Sequence, residues 1–321
     1  MQRIGFITFP GFGVMSFAAL SVFESANNAA GRTHYDVRLL SENGGAIRSS
    51  LGVVVHTEAF DQSAFDTVII GGGNDREFTP ALLAYLRQAA SQTRRLAATC
   101  SGTFFLAQAG LLDGLRATTH WFFAAEFRAR YPKVHLDEAR LFVVDGSIWT
   151  SAGMTAGIDQ ALAMVEADLG AEVARAVSKN FLLQSRRAAG QPQCSVLLDM
   201  EQKTDRIQAA MSYIRNNLHR ALPLSELADA AHLSLRQFSR AFLAQTGLSP
   251  AKAVEKLRVE AAIGLIQDGR HSLDNIARQT GFGDDERMRR AFIRQFGEPP
   301  RLIRRTARNL ADATAMSRNE G

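Results

Sequence analysis

At 321 residues, with 46% hydrophobic and 21% charged residues, the chain has the composition of an ordinary globular protein and room for two separate cores. It lacks a run of about 18 uninterrupted apolar residues, which argues against a transmembrane helix and a membrane partner. Its two cysteines, Cys100 and Cys194, argue against a disulfide framework and suit a reducing cytoplasm. The formal net charge of +5 is unevenly placed: residues 1–190 hold 17 Lys+Arg and 17 Asp+Glu, and residues 191–321 hold 20 and 15.

In chain order, the first 190 residues alternate strand-like and helix-like segments. Arg3–Phe9 reads as an apolar strand, and the breaks at Pro10, Gly11 and Gly13 suit a loop rather than a signal-peptide core. Val14–Ala30 reads as a helix and Tyr35–Leu40 as a strand. A Gly-rich hairpin follows around Gly44-Gly45 and Val53–Val55. The β-branched run Thr67–Ile70 ends in Gly71-Gly72-Gly73. Pro80–Ala90 reads as a helix, Arg95–Thr99 as a buried strand and Gly102–Gly110 as the next helix. Leu141–Val144 and Ile148–Thr150 flank an Asp145-Gly146 turn, and Thr155–Leu169 is a long helix. Continuously apolar strands alternating with helices predict a parallel sheet covered on both faces.

Periodicity lapses around Arg186–Ser195, where Gly and Pro enter. The expected organisation is a domain over 1–187, a linker over 188–204, a helical domain over 205–306 and a tail over 307–321. Asp205–Leu218 and Ala251–Gln267 read as helices. Around the second of these one pattern occurs twice: an apolar-Ala pair, a turn, two apolar residues four apart, then Gly and Pro. The pairs are Leu227-Ala228 and Ile276-Ala277; the later apolar residues are Phe238 and Phe242, then Met288 and Phe292. Early landmarks lie 49 residues apart and late ones 50, so the second copy carries one extra residue in its turn. Two short helices across a tight turn, repeated, read as a tandem helix-turn-helix.

Ala97-Ala98-Thr99-Cys100-Ser101-Gly102 places a cysteine where an apolar strand turns into a helix, a geometry that projects the side chain above the sheet edge. A helix start favours the thiolate and lowers the cysteine pKa. Around it, in order, lie Val68–Gly73, Ala109-Gly110-Leu111-Leu112-Asp113-Gly114 with Ala117–Trp121, and Thr150–Asp159. These four motifs, over roughly residues 1–185, resemble the class I glutamine-amidotransferase-like superfamily, on the branch that contains intracellular proteases. The resemblance implies an α/β flavodoxin-like sandwich with a parallel sheet. It also implies a small-molecule pocket at the strand C-termini, lined by Phe12, Ser16, Gly72, Gly73, Cys100, Ser101, His120 and Trp121. An open α/β sheet binds its ligands at that edge.

Cysteine catalysis needs an acid–base partner for the thiolate. Enzymes of the superfamily usually carry an acid in the first helix region and often a His directly after the Cys. Here Ser16 stands at the acid position and Ser101 follows Cys100. The expectation is therefore no catalytic residue, no cofactor and no metal. The competing expectations are a cysteine-dependent hydrolase or hydratase, and a Cys100 redox sensor, for which Cys194 in the linker is a poor resolving partner.

The tandem repeat resembles the DNA-binding domain of AraC-type transcription regulators over about 205–305. The domain order is similar to the GlxA-type branch of that family. The C-terminal half is thus expected to be an all-α domain with two helix-turn-helix motifs. Ser234 would cap the second helix of copy one, with Arg236, Gln237 and Arg240 facing DNA. Asp284 or Asp285 would cap that of copy two, with Asp285, Glu286, Arg287 and Arg290 facing DNA. The reading is a cytoplasmic, DNA-binding activator controlled by a small effector, an amino acid or quaternary amine. Double-stranded DNA, RNA polymerase and a second copy of the chain are the expected partners.

Overall fold

The computed structural model describes residues 1–61, 64–73, 76–183, 187, 189, 193, 204–268 and 270–305. The chain divides into two units, Met1–Gln193 and Cys194–Leu310. The expected linker is described only at residues 189, 193 and 204, and the expected tail over 307–321 lies outside the described residues.

The first unit is built on an eight-stranded sheet. Its strands are β1 (Gln2–Ile7), β2 (Tyr35–Ser41), β3 (Asn43–Arg48), β4 (Val54–Ala59), β5 (Thr67–Ile70), β6 (Arg95–Thr99), β9 (Phe142–Asp145) and β10 (Ile148–Ser151). A two-stranded sheet pairs β7 (Arg116–Ala117) with β8 (His135–Leu136). The large sheet runs β3-β4-β2-β1-β5-β6-β10-β9. Its six inner strands are parallel, and β3 and β9 pair antiparallel at the two edges. The edges depart from an all-parallel sheet because each is a hairpin, whose strands a short turn can only join antiparallel. β5 and β6 are buried at every residue, which is why they are apolar throughout rather than alternating.

The helices of this unit are α1 (Ala18–Ala30), α2 (Pro80–Gln92), α3 (Thr103–Gln108), α4 (Ala124–Arg130), α5 (Thr155–Leu169) and α6 (Ala171–Asn180). α1 packs with α5 and α6, while α2 and α3 pack together against β6. Phe104 and Phe105 of α3 are fully buried, each contributing roughly 1.5–3 kcal/mol by leaving water. Three expectations shift. Val14–Phe17 forms a 3-10 turn before α1 begins. β1 stops at Ile7, before Pro10, which has no N–H to donate. Gly44 and Gly45 lie within β3, and the hairpin turns instead over Ser49–Val53.

The second unit holds α7 (Asp205–Asn216), α8 (Leu224–Ala230), α9 (Leu235–Thr246), α10 (Pro250–Asp268), α11 (Leu273–Gln279) and α12 (Asp285–Phe296). It has two cores. α7, α8 and α9 enclose Ile207, Leu227, Phe238 and Phe242; α11 and α12 enclose Ile276, Met288 and Phe292. α10 serves both. Ala253, Val254 and Leu257 enter the first core, and Val259, Ala262, Ile263 and Ile266 the second. At 3.6 residues per turn those two sets point about 180° apart, so one helix about 28 Å long carries a core on each side.

Candidate functional site

The elbow is a strained turn. β6 ends at Thr99, Cys100 has φ 55°, and a 3-10 turn over Cys100–Gly102 leads into α3. A non-glycine residue at positive φ persists only where its surroundings impose it. The surroundings here are glycines and hydroxyls. A Cβ on Gly72 would fall 2.8 Å from Cys100 Cβ, so the Gly71–Gly73 loop can lie against the cysteine only as glycine. Ser101 Oγ donates to the Gly73 carbonyl at 2.7 Å and accepts from Gly73 N–H at 3.0 Å. Ser16 Oγ accepts from Gly72 N–H at 3.1 Å. Phe12 forms a β-bridge with Gly73, but its side chain is 1% exposed, with its ring 5.0 Å from that of Phe17. Phe12, Ser16, Gly72, Gly73, Cys100 and Ser101 are thus one cluster at the C-terminal edge of the sheet.

His120 and Trp121 join it through the backbone: Thr119 Oγ1 donates to the Cys100 carbonyl at 2.9 Å. His120 Nδ1 accepts from Phe122 N–H at 3.2 Å and caps the 3-10 turn Trp121–Phe123. Burial lowers its pKa, which keeps the ring neutral at pH 7. Trp121 is 55% exposed and Phe122 69%. The thiol departs from expectation. Burial pushes the Cys100 pKa up, outweighing the Ser101 N–H and the Arg76 charge that pull it down. A helix start lowers a cysteine pKa where the sulfur is open to water; here it is enclosed. Cys194 lies outside the described residues.

Sequence reasoning missed two residues of this site. The Arg76 guanidinium lies over Phe104 at 4.0 Å and pairs with Glu126 through Nη2 at 2.9 Å, while its Nη1 is buried without a hydrogen-bond partner among the described residues. Gln193 reaches the same loop from 72 residues away. Its Oε1 accepts from Trp121 N–H at 2.8 Å, and its Nε2 donates to the Thr119 carbonyl at 2.8 Å and the Arg140 carbonyl at 3.1 Å. Neither had a local sequence signal, because both contacts are long-range.

In the second unit, Ser234 caps α9. Its Oγ accepts from Gln237 N–H at 3.4 Å, and Gln237 Oε1 accepts from Ser234 N–H at 3.2 Å, a reciprocal capping box. Gln237, expected to face DNA, therefore also fixes the helix start. Phe238 and Phe242 are fully buried, and Arg236, Gln237 and Arg240 are exposed. Among the described residues neither Arg236 nor Arg240 has a carboxylate partner.

α12 is organised differently. Asp284, not Asp285, is its cap, accepting from Arg287 N–H at 2.7 Å. Asp285 is the first residue of the helix and exposed. Arg287 pairs with Asp284 at 3.4 Å. Arg289 and Arg290 share Glu286, at 2.6 Å and 3.1 Å, and hold its carboxyl at about 2 through those hydrogen bonds and charges. Arg294 reaches Glu255 on α10. The loop between α8 and α9 spans residues 231–234 and that between α11 and α12 spans 280–284, so the extra residue does lie in the second turn. That turn abuts the connection between α7 and α8: a Cβ on Gly281 would fall 1.9 Å from the Leu218 carbonyl, which also accepts from Arg258 Nε at 3.2 Å.

Comparison with known proteins matches both units. The model of the DJ-1/PfpI family covers residues 6–167, and that of a helix-turn-helix domain covers 227–306. The HTH-type transcriptional regulator GbdR of Pseudomonas aeruginosa is 32% identical over 306 residues, covering 94% of this chain and 83% of that one. The HTH-type transcriptional regulator GlxA of Rhizobium meliloti is 31% identical over 312 residues, covering 95% and 96%. The chain belongs to the GlxA-like branch of the AraC-type transcriptional regulators. A crystal structure of an AraC family transcriptional regulator from Pseudomonas putida covers 56% of this regulator and 100% of its own chain. Its TM-score is 0.52 at 24% identity, and it shares the fold. In this regulator the DJ-1/PfpI unit carries the elbow, and the helix-turn-helix unit carries α9 and α12.

Proposed function

We propose that this regulator is a cytoplasmic activator whose N-terminal unit binds a small effector without transforming it, and whose two capped helices, α9 and α12, read DNA. The observation that carries this reading is the pair of helices. Each is amphipathic, capped at a defined residue and closed by a left-handed glycine, Gly247 or Gly297. Each buries two large apolar residues and turns arginines outward. Such helices present N-terminal side chains to base edges and later cations to phosphates. Ser234, Arg236, Gln237 and Arg240 would act in the first, and Asp285, Glu286, Arg287 and Arg290 in the second. Their shared helix α10 suits two major grooves on one DNA face, about 34 Å apart.

Binding without turnover is supported at the elbow. A nucleophilic cysteine needs a base within reach. The Ser16 hydroxyl is engaged with Gly72, His120 Nδ1 with Phe122, and the thiol is held protonated by burial. The unpartnered Arg76 Nη1 favours a ligand with a carboxylate, and the exposed Trp121 ring could face its cation. An amino acid or a zwitterionic quaternary amine carries both charges. Exposed Trp121 and Phe122 support dimerisation through this unit, and an activator would engage RNA polymerase.

The route from sensor to output would begin at Gln193 and Arg187. Arg187 binds the buried Asp159 of α5 through its guanidinium, at 2.7 Å. Gln193 binds the Thr118–Trp121 loop, so the chain leaves the first unit from a loop at the elbow. A ligand shifts such an equilibrium only by its difference in affinity between the two states. The test is capture of genomic fragments by the full-length protein, with and without a metabolite extract. Discrete sites whose occupancy changes with the extract are expected; uniform retention of all fragments would contradict the proposal.

A further inference from the structure

Near the elbow the first unit holds a cavity of about 590 Å³. It lies at the C-terminal ends of β1 and β2, under the β3–β4 hairpin and against the start of α2. Its walls include Phe9, Ile47, Phe60 and Thr79, with two carboxylates, Glu42 and Glu77, and, among the described residues, no Lys, Arg or His. This volume falls within the range of small-molecule sites. The charge is unusual for its setting, because residues 1–190 as a whole are formally neutral. None of the eight residues assigned to the elbow lines the cavity. The ring of Phe9 stands between the cavity and the elbow loop, and would meet a Cβ on Gly73 at 2.8 Å.

The polar wall is fixed in place. Thr79 Oγ1 donates to Glu42 Oε2 at 2.5 Å and accepts from Leu82 N–H at 3.2 Å, capping α2. One hydroxyl thus ties the half-buried Glu42 to a helix end, which orders the carboxylate before any ligand arrives. The aromatic wall is equally fixed. Phe60 stacks on Tyr85 with centroids 4.2 Å apart and planes 5° apart, and Phe9 packs on Phe105 at 4.8 Å. A cavity walled by aromatic rings and carboxylates, with no cation of its own, is complementary to a positive charge.

We infer that this cavity is a ligand site distinct from the elbow, and that it takes a small organic cation bearing an ammonium or guanidinium group, with Glu42 as its principal partner. The inference does not depend on Cys100, Arg76 or any DNA contact. The ammonium or guanidinium would donate to Glu42, with Glu77 as the second carboxylate and an aromatic wall against the alkyl part. Nothing is transformed; the site binds.

The test is isothermal titration calorimetry on the full-length protein with three probes: agmatine, tetramethylammonium, and tert-butanol as the neutral match of the second. Saturable binding of at least one cation and none of the alcohol is expected. Glu42→Gln, which keeps an acceptor for Thr79, should weaken that binding roughly tenfold or more, the size of one charge-assisted contact. Glu77→Gln, on an exposed position, should weaken it less, and Glu138→Gln, at an exposed carboxylate outside the cavity, should leave it unchanged. The melting temperature of each unliganded variant checks that the fold is intact. Binding by neither cation, or cation binding equal in wild type, Glu42→Gln and Glu77→Gln, overturns the inference. Loss of the metabolite response on Arg76→Ala alone would bear on the elbow reading and leave this site standing.

Discussion

Gly153 and Cys100 compete for one volume: a Cβ built on Gly153 would lie 2.2 Å from Cys100 Cβ and 2.8 Å from its Cα. Gly153 also has φ 79°, and the next residue, Met154, has φ 52°. The loop after β10 therefore closes over the elbow only because position 153 has no side chain. Gly153→Ala adds backbone strain of about 1–2 kcal/mol and overpacking of about 1–3 kcal/mol. Denaturant unfolding should show the first unit destabilised by roughly 2–5 kcal/mol. A change within experimental error would mean that the loop and the elbow move independently.

The first unit should lose stability in acid through Asp168. Burial would raise this carboxyl, but hydrogen bonds and charge from Arg95, with Arg94 behind it, outweigh burial and hold it below the usual range. Arg95 meets it at 2.8 Å with both side chains almost wholly buried, and the Tyr35 hydroxyl donates to it at 3.0 Å. A depressed carboxyl stabilises the fold fully above its unfolded value of about 3.9, and that stability drains as pH falls through the lower folded value. Asp168→Ala should cost about 3–5 kcal/mol at pH 7 by stranding Arg95, and should flatten the stability profile below pH 4. An unchanged acid profile in the variant would show that other carboxylates govern it.

Cys100→Ser separates three roles for the elbow. Effector-dependent transcription should survive, with no turnover in either protein and no peroxide response lost, since burial keeps the wild-type thiol protonated. A variant that loses response only to peroxide would restore the redox reading. Measurable hydrolysis abolished by the substitution would restore the enzyme.

The two reading helices should behave unequally. Arg236→Ala removes an arginine without a described ion pair, and it should cost about 1–3 kcal/mol on the preferred site and relax one or two base positions. Arg290→Ala should weaken binding to all sequences and reduce the salt slope by about 1. Because Glu286 already occupies Arg289 and Arg290, Glu286→Gln should raise affinity for scrambled DNA and steepen the salt dependence. Electrophoretic titrations over a salt series measure all three. A Glu286→Gln protein with unchanged salt dependence would show that those arginines do not approach DNA.

What the sequence made legible was local. Thr67–Ile70, Arg95–Thr99 and Thr155–Leu169 have the ends expected from apolar segments stopped by glycine or a turn. The elbow and the cap at Ser234 follow from residue type and neighbour spacing, whereas two adjacent aspartates left the second cap open between Asp284 and Asp285 until the backbone placed it at Asp284. α4 and the β7–β8 pair were missed because segments this short carry no clear period; α6 was missed although its buried Ala174, Val177 and Ser178 fall at helical spacing. The ion pair of Arg294 with Glu255 spans 39 residues and Gln193 reaches back 72, so no window along the chain contains either. α10 was read only as a long helix, and its change of side midway emerges from the two cores it serves.

The central claim is that α9 and α12 both read sequence from one chain. Selection of bound DNA from a random pool by the full-length protein, repeated with Arg236→Ala and Arg287→Ala, tests it most directly. The expected result is two clusters of specified bases about 10 base pairs apart, one helical turn, with each variant relaxing a different cluster. A single cluster, or two clusters that neither variant alters, would contradict it.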